Sequence, residues 1–356
     1  MSREHEAAAG AAAIDRARGA LLGLAVGDAL GTTYEFERIE QPPYPALATG
    51  PATDVVGAGP FELAPGQVTD DTQLAVCLAK SLAGSGGFDA TDAAARYVAW
   101  SAHAFDIGAQ TLAAIARLRQ GDPPSSAALD VWRQHGRRPA GNGSLMRTAP
   151  IAVALRGAAD HALIDAAIAD SLITHADPRC ALACAAFDAA IAAAIAEPLD
   201  GRALVAVARR ALGRGAARLG AAWAGGEAQA IQDREHLARG AAELAGDLDA
   251  ALQRDPGVYG EELHLHRTAG FVRVAFRIAF WHAVHTPSWR DALVDVASRG
   301  GDADTNAAIA GALLGARDGA AAIPAAWVER VLGATQPGPA DWAEAHHPRH
   351  LLALAR

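Results

Sequence analysis

The sequence predicts an all-α fold, a single compact multi-helix domain, and three observations carry that prediction. About a quarter of the 356 residues are alanine, the strongest helix former, while β-branched residues are few. Apolar residues recur at helical spacing, and no convincing run of alternating β-branched residues marks a strand. The chain is 51% hydrophobic and 20% charged, too apolar for disorder and long enough to enclose a sizeable core.

Taken in order, residues 1–13 (MSREHEAAAGAAA) are low in complexity and read as a disordered or frayed tail, leaving 14–356 as the domain. A first helix is expected from Asp15 to Leu30, apolar over its second half except for Asp28. Between Gly31 and Val68 the pattern dissolves into Pro42, Pro43, Pro45, Pro51, Pro60, Pro65 and several glycines. A loop that long is either a plain connector or a binding segment, with 41–68 the part that would close as a lid. Beyond Asp70, helices alternate with Gly and Pro breaks. They are expected over 71–84, 91–103, 108–119, 125–135, 147–156, 160–173, 178–196, 201–213, 233–253, 260–284, 288–298, 305–317 and 324–332. Within 260–284, Phe271, Val274, Ala275, Ile278 and Trp281 form one apolar stripe and Val272, Phe276 and Phe280 a second, so this helix should be buried on more than one side. Residues 196–258, rich in Ala, Arg and Gly, read as a variable helical insertion; no composition break marks a second domain.

A net charge of -9 excludes a dedicated nucleic-acid coat but would not repel a metal ion. The arginine groups Arg209, Arg210, Arg214, Arg218 and Arg133, Arg137, Arg138 read as solvated helix faces. Cys77, Cys180 and Cys184 are too few and too unevenly spaced for a disulfide framework. No export signal is visible and nothing approaches the ~20 uninterrupted apolar residues of a membrane helix. The expected location is cytoplasmic, with no membrane partner.

Two acidic clusters carry the chemistry: Thr69-Asp70-Asp71-Thr72 and Asp302-Ala303-Asp304-Thr305. Each opens an apolar helix, where Asp and Thr serve as N-caps. Capping needs neither two adjacent carboxylates nor a pair at i,i+2. Paired carboxylates with hydroxyls are hard oxygen ligands suited to Mg²⁺ or Mn²⁺, and a two-metal site results if the fold joins the clusters. Gly141-Asn142-Gly143-Ser144-Leu145-Met146-Arg147 is a glycine-rich turn before a helix, able to offer free N–H groups to a phosphate. Cys180 and Cys184 near His175 lack the four ligands of structural zinc and read as buried thiols. His264, His266, His282 and His285 lack the His-Glu-x-x-His arrangement and read as solvent-facing or hydrogen-bonded.

With these pieces in view, the chain resembles the ADP-ribosylglycohydrolase family. The resemblance rests on Gly23 to Gly31 (GLAVGDALG), Thr69 to Thr72, Gly141 to Arg147, Thr174 to Arg179 (THADPR) and Gly300 to Asn306, in the family's order from residue 19 to about residue 317. It implies that Thr69, Asp70, Asp71, Asp302, Asp304 and Thr305 hold two divalent cations, Mg²⁺ or Mn²⁺. It implies that Asn142, Gly143, Ser144, Met146 and His175 line the ADP-ribose pocket. It places Glu35 on a mobile segment as a functional acid and Asp106 beside the scissile ribose, though Asp106 also reads as an N-cap ahead of Ile107. The expected reaction is metal-dependent hydrolysis of the glycosidic bond joining ADP-ribose to a protein side chain. Either Glu35 or Asp106 would transfer the proton. The expected partner is an ADP-ribosylated protein, arginine favoured, with ADP-ribose as product. Serine-linked or small ADP-ribosyl substrates, and a non-catalytic ADP-ribose binder, are the alternatives.

Overall fold

Four glycines spaced four residues apart decide where the two central helices meet. Gly19, Gly23, Gly27 and Gly31 lie along one face of the first helix, α1 (Arg3–Gly31), and face α13 (Ala303–Asp318) running antiparallel. A Cβ at these positions would sit 2.1, 2.0, 2.2 and 2.2 Å from the backbone oxygens of Gly315, Gly311, Ala307 and Ala303. Only hydrogen fits there. The contact register therefore brings Asp28, next to Gly27, to the N-terminal turn that carries Asp304.

The structure is a computed structural model and describes residues 3–223 and 228–356. Among the described residues there are fifteen α-helices, three short 3₁₀ turns and no β-strand. The helices between the central pair are α2 (Asp70–Ser85), α3 (Ala90–Trp100), α4 (Ala109–Arg119), α5 (Ala127–Gln134), α6 (Ala149–Ala154) and α7 (Asp160–Thr174). They continue with α8 (Pro178–Ala196), α9 (Gly201–Ala222), α10 (Ala228–Ala251), α11 (Val272–His285) and α12 (Trp289–Ser298). After α13 come α14 (Ala325–Gly333) and α15 (Ala340–Ala345). α8 is the one described helix long and apolar enough to cross a membrane, and it is a core helix here, with α6, α7, α9, α10, α11 and α13 against it.

Several expectations change. Residues 3–13 are helical rather than frayed; Ala8 to Ala12 stand in solvent, so alanine propensity extends α1 without packing there. Met1 and Ser2 lie outside the described residues. The helix expected over 260–284 begins only at Val272, because Gly270 has φ +78° and 258–271 folds as turns. Here Thr268 donates to His264 and Leu265 to Val258. α9 and α10 run longer than predicted, and α15 with the final turn Pro348–Leu354 carries no apolar period strong enough to announce it. Of the arginine faces, Arg210, Arg214 and Arg218 are solvent-exposed as expected, Arg214 pairing with Asp160 and Arg218 with Asp165, whereas Arg133 and Arg137 are partly buried against Asp233.

The proline-rich loop is pinned rather than poised. The buried Arg299–Asp295 pair holds it, Arg299 donating to the carbonyls of Pro42 and Ala46 while Asp295 accepts from the Ala48 amide. Arg299 also stacks over Tyr44, 3.9 Å from the ring centre. Gln41 donates to Ser298 and the Ala52 amide to the Ser298 hydroxyl. No residue of 41–68 lines the cavity described next, which argues against the lid reading.

Candidate active site

Two helix N-termini converge. Thr69 precedes α2, whose first turn carries Asp70 and Asp71; Asp302 precedes α13, whose first turn carries Asp304 and Thr305. Neither Thr69 nor Asp302 makes a side-chain cap hydrogen bond, so capping does not account for the clusters. Thr69 and Thr305 instead turn their hydroxyls to Asp71 Oδ2, at 3.2 and 3.4 Å.

Two carboxylate triads result, Asp28–Asp71–Asp304 and Glu35–Asp302–Asp304, each with ligand atoms within 4.8 Å of one another and with Asp304 common to both. Asp28 has both oxygens engaged: Thr69 donates its amide and hydroxyl, at 3.1 and 2.9 Å, and Thr72 its amide and hydroxyl, at 3.1 and 2.5 Å. It thus fixes the start of α2 from below. Glu35 Oε2 accepts from the Ala303 amide at 2.6 Å, tying the segment after α1 to the start of α13. Asn142 Nδ2 donates to Asp302 at 2.6 Å.

The electrostatics are those of a site built for cations. Burial, followed by neighbouring carboxylates, pushes the pKa values of Glu35, Asp70, Asp71 and Asp304 far upward, and burial raises that of Asp302. Burial lifts Asp28 to about 6 against its hydrogen bonds, and burial with the Asp28 and Asp302 charges lifts Asp106 to about 6. Nearby arginines are engaged elsewhere, Arg147 with Asp170 and Arg299 with Asp295. Among the described residues no Arg or Lys forms an ion pair with the cluster. Asp71 Oδ1 is buried and without a hydrogen-bond partner. An all-oxygen donor set, an orphaned buried carboxylate oxygen and a shared central carboxylate fit two hard divalent cations.

A cavity of ≈ 320 Å³ opens above this floor. Of the residues singled out in the sequence, Glu35, Asp70, Asp106, Asn142, Gly143, Met146, His175, Asp302, Asp304 and Thr305 line it. Thr69 and Asp71 lie beneath. Ser144 does not reach the cavity: it is fully buried, accepting from Ser171 at 2.9 Å with the Cys184 thiol 3.6 Å away. Cys180 donates to the Gly141 carbonyl, so both cysteines brace the glycine loop, as buried thiols do.

The loop is fixed from two sides. A Cβ on Gly143 would come within 2.9 Å of the His175 ring, so glycine lets the imidazole pack against the backbone. Behind it the buried Arg147 bonds Asp170, the Thr174 hydroxyl and the Gly143 carbonyl, and lies over the Tyr97 ring. Burial, then Arg147, lowers the His175 pKa to about 3, leaving the ring neutral. Asp106 is not an N-cap: α4 starts at Ala109 behind Gly108, and Asp106 meets Asp70 in the cavity wall.

Three contributors escaped the sequence reading. Asp28 had a usable signal, a lone acid inside an apolar helical stretch. Gln110 accepts from the Gly141 amide, and Gly270 takes the Asn142 amide on its carbonyl; neither stands in a recognisable pattern.

The profile of the ADP-ribosylglycohydrolase family matches residues 9–355. A Pseudomonas putida protein named ADP-ribosylarginine hydrolase Tri1 is 31% identical over 337 residues, spanning 90% of this chain and 75% of its own. The ADP-ribosyl-[dinitrogen reductase] glycohydrolase of Rhodospirillum rubrum is 29% identical over 319 residues, 89% of this chain and 90% of its own. A solved structure titled ADP-ribosylglycohydrolase-related protein complex aligns over 97% of this chain and 99% of its own at TM-score 0.64 and 27% identity.

Proposed function

This chain belongs to the ADP-ribosylglycohydrolase family and is a hydrolase of ADP-ribosyl bonds; from that premise we propose that it removes ADP-ribose from arginine side chains of modified proteins, with two divalent cations, Mg²⁺ or Mn²⁺, as cofactor. The observation that carries the metal reading is the pair of triads sharing Asp304 above a buried, unpartnered Asp71 oxygen. Asp70, Asp71, Asp302 and Asp304, with Thr69 and Thr305, would hold the ions. Bound there, the ions supply a grip on ribose hydroxyls and an acidified water.

The chain's own residues do the rest. Asn142 keeps Asp302 aimed, and Asp28 keeps the Asp70-Asp71 turn in register. The glycine loop, its Gly141 and Asn142 amides bonded to Gln110 and to the Gly270 carbonyl, and the neutral His175 form one wall of the cavity. Such positioning is a large part of the rate enhancement in itself.

The leaving group favours arginine. A guanidinium bonded to C1″ already carries its positive charge, so the C1″–N pair can depart onto nitrogen as neutral guanidine without an acid. A carboxylate is needed only to take the proton of the attacking water, which then passes to the guanidine. Glu35 and Asp106 both line the cavity and are the two candidates. A serine link would leave as an alkoxide and require an acid as well. The names of the relatives support the same linkage.

The test is release of ADP-ribose from an arginine-modified protein and a serine-modified peptide, each with Mg²⁺, Mn²⁺ or EDTA, beside Asp304→Ala. Metal-dependent release from arginine, lost in the variant, is expected. Release from serine alone overturns the linkage, and binding without release from either overturns the activity.

A further inference from the structure

At the mouth of the cavity three phenylalanines from separate segments meet. Phe36 is 65% exposed, lines the cavity directly, and sits 6.3 Å from Phe61 in an edge-to-face contact. Phe61, half-buried, makes a second such contact with Phe105 at 5.7 Å, and Phe105 is 40% exposed. Large apolar rings left in water by a well-packed chain mark contact surfaces.

The backbone holds Phe36 there against its preference. Its φ is +60°, in the left-handed region that favours glycine, kept by its amide donating to the Gly301 carbonyl at 2.7 Å. Conformations of this kind persist where the surroundings over-determine them, and they cluster at binding sites.

Charge defines the visitor. Each ring has a carboxylate beside it in sequence: Glu35 and Glu37 around Phe36, Glu62 after Phe61, and Asp106 after Phe105. Glu35 and Asp106 face the cavity, while Glu37 and Glu62 are exposed. Arg38 lines a separate depression with Tyr259, His264 and His266. Aromatic faces among carboxylates attract a planar cation.

We infer that Phe36, Phe61 and Phe105 form an aromatic rim that holds the guanidinium side chain and adjoining polypeptide of the arginine-modified substrate, Phe36 being the ring that contacts the cation. The inference rests on the arginine reading proposed above and adds where the protein half of the substrate lies. Phe36 and Phe105 are specificity-determining residues for the leaving side; Phe61 is a positioning residue that holds the other two rings in place.

Phe36→Gly is the informative variant, because glycine adopts the left-handed φ freely and removes only the ring. For release from an arginine-modified protein, Phe36→Gly and Phe105→Ala should each raise KM roughly 3- to 10-fold with kcat little changed. The dissociation constant of free ADP-ribose should not move. Phe36→Leu, which keeps apolar bulk without a π face, should behave like Phe36→Gly, and Phe36→Tyr should restore KM. Unchanged KM in both ring-removing variants overturns the rim. An equal loss of ADP-ribose affinity assigns the rings to the nucleotide half and overturns it too, as does full function in Phe36→Leu. If the wild-type protein with metal releases nothing from arginine, the proposed linkage itself fails, and the rim with it, before any variant is compared.

Discussion

Gly27→Ala tests whether the central helix contact builds the site. The added Cβ would lie 2.2 Å from the Ala307 carbonyl oxygen, and real Cβ contacts essentially never fall below 3.0 Å. The Cβ position is fixed by the α1 backbone and the oxygen it meets is backbone, so no side-chain rotation relieves the clash and α1 and α13 must part by close to 1 Å. Overpacking of this kind costs about 3 kcal/mol at the top of the usual range. The gain in helix propensity from glycine to alanine offsets about 1 kcal/mol, for a net loss of about 2 kcal/mol. At about 2.1 cal/mol/K of unfolding entropy per residue, a chain of 356 residues converts that to a fall in Tm of about 3 °C.

The effect on activity should be larger than the effect on stability. Asp28 rides on α1 and Asp304 on α13, so parting the helices by close to 1 Å moves one side of the carboxylate cluster against the other. A displacement of that size costs on the order of 100-fold in rate. Calorimetry and kcat/KM measured together check both numbers. Gly10→Ala is the control on the same helix: nothing lies within 4 Å of its Cβ, so it should hold or raise Tm and leave activity alone. If Gly27→Ala keeps wild-type Tm and kcat/KM, the glycine register does not position the site.

Asp28→Asn preserves shape but replaces one acceptor oxygen with a donor amide facing the Thr69 and Thr72 donors; Mn²⁺ affinity by titration calorimetry should fall about 10- to 100-fold with helix content unchanged, and unchanged affinity would remove Asp28 from the site's supporting layer. Glu35→Gln and Asp106→Asn should retain ADP-ribose binding, and the one that is the base should lose about 100- to 10,000-fold in kcat; near-wild-type kcat in both sinks the proton-transfer assignment. Asp28 and Asp106 keep protons up to about 6 in the fold, against an ordinary value of 3.8. Between about pH 4 and pH 6 the folded metal-free chain therefore binds more protons than the unfolded one, and these two groups lower its stability as pH rises. Denaturant melts at pH 5 and 7.5 should show a larger stabilisation by Mg²⁺ at the higher pH; an equal increment at both would contradict the assignment.

The legible part of this protein was what lies close together in the chain. Helix existence followed from alanine and apolar period, and the two acidic clusters were visible because each is four residues long. The register between α1 and α13 was not, although every glycine that sets it is in plain view. Spacing of i,i+4 says that four small residues share a face, but the partner that needs them, some 280 residues away, is a matter of tertiary packing. The place of Asp28 in the cluster depends on that register too, although a lone acid in an apolar helix already set it apart in the sequence. The overextended 260–284 helix shows the opposite error: apolar period from 271 onward was carried back across Gly270, whose positive φ ends the turn region before Val272.

The ambiguity between cap and ligand was real at the level of sequence, since one residue type serves both roles at a helix start. The structure separates them by where the oxygens go. Asp89 accepts from the amides of Thr91 and Asp92, Asp200 from Ala203, and Ser288 from Asp291, each satisfying its own helix. Thr69 and Asp302 occupy the same position on α2 and α13 and do none of this. The Thr69 hydroxyl turns to Asp28 on α1 and to Asp71 of its own helix, and Asp302 accepts from Asn142 in the facing wall of the cavity. The amides at these two helix starts are met from other segments instead, Thr72 by Asp28 and Ala303 by Glu35, and gathering like charges in a buried space destabilises the free chain. Carboxylates held together at that cost are accounted for by a ligand that carries positive charge, and the direction in which these oxygens point supports the proposed metal site more strongly than the count of carboxylates.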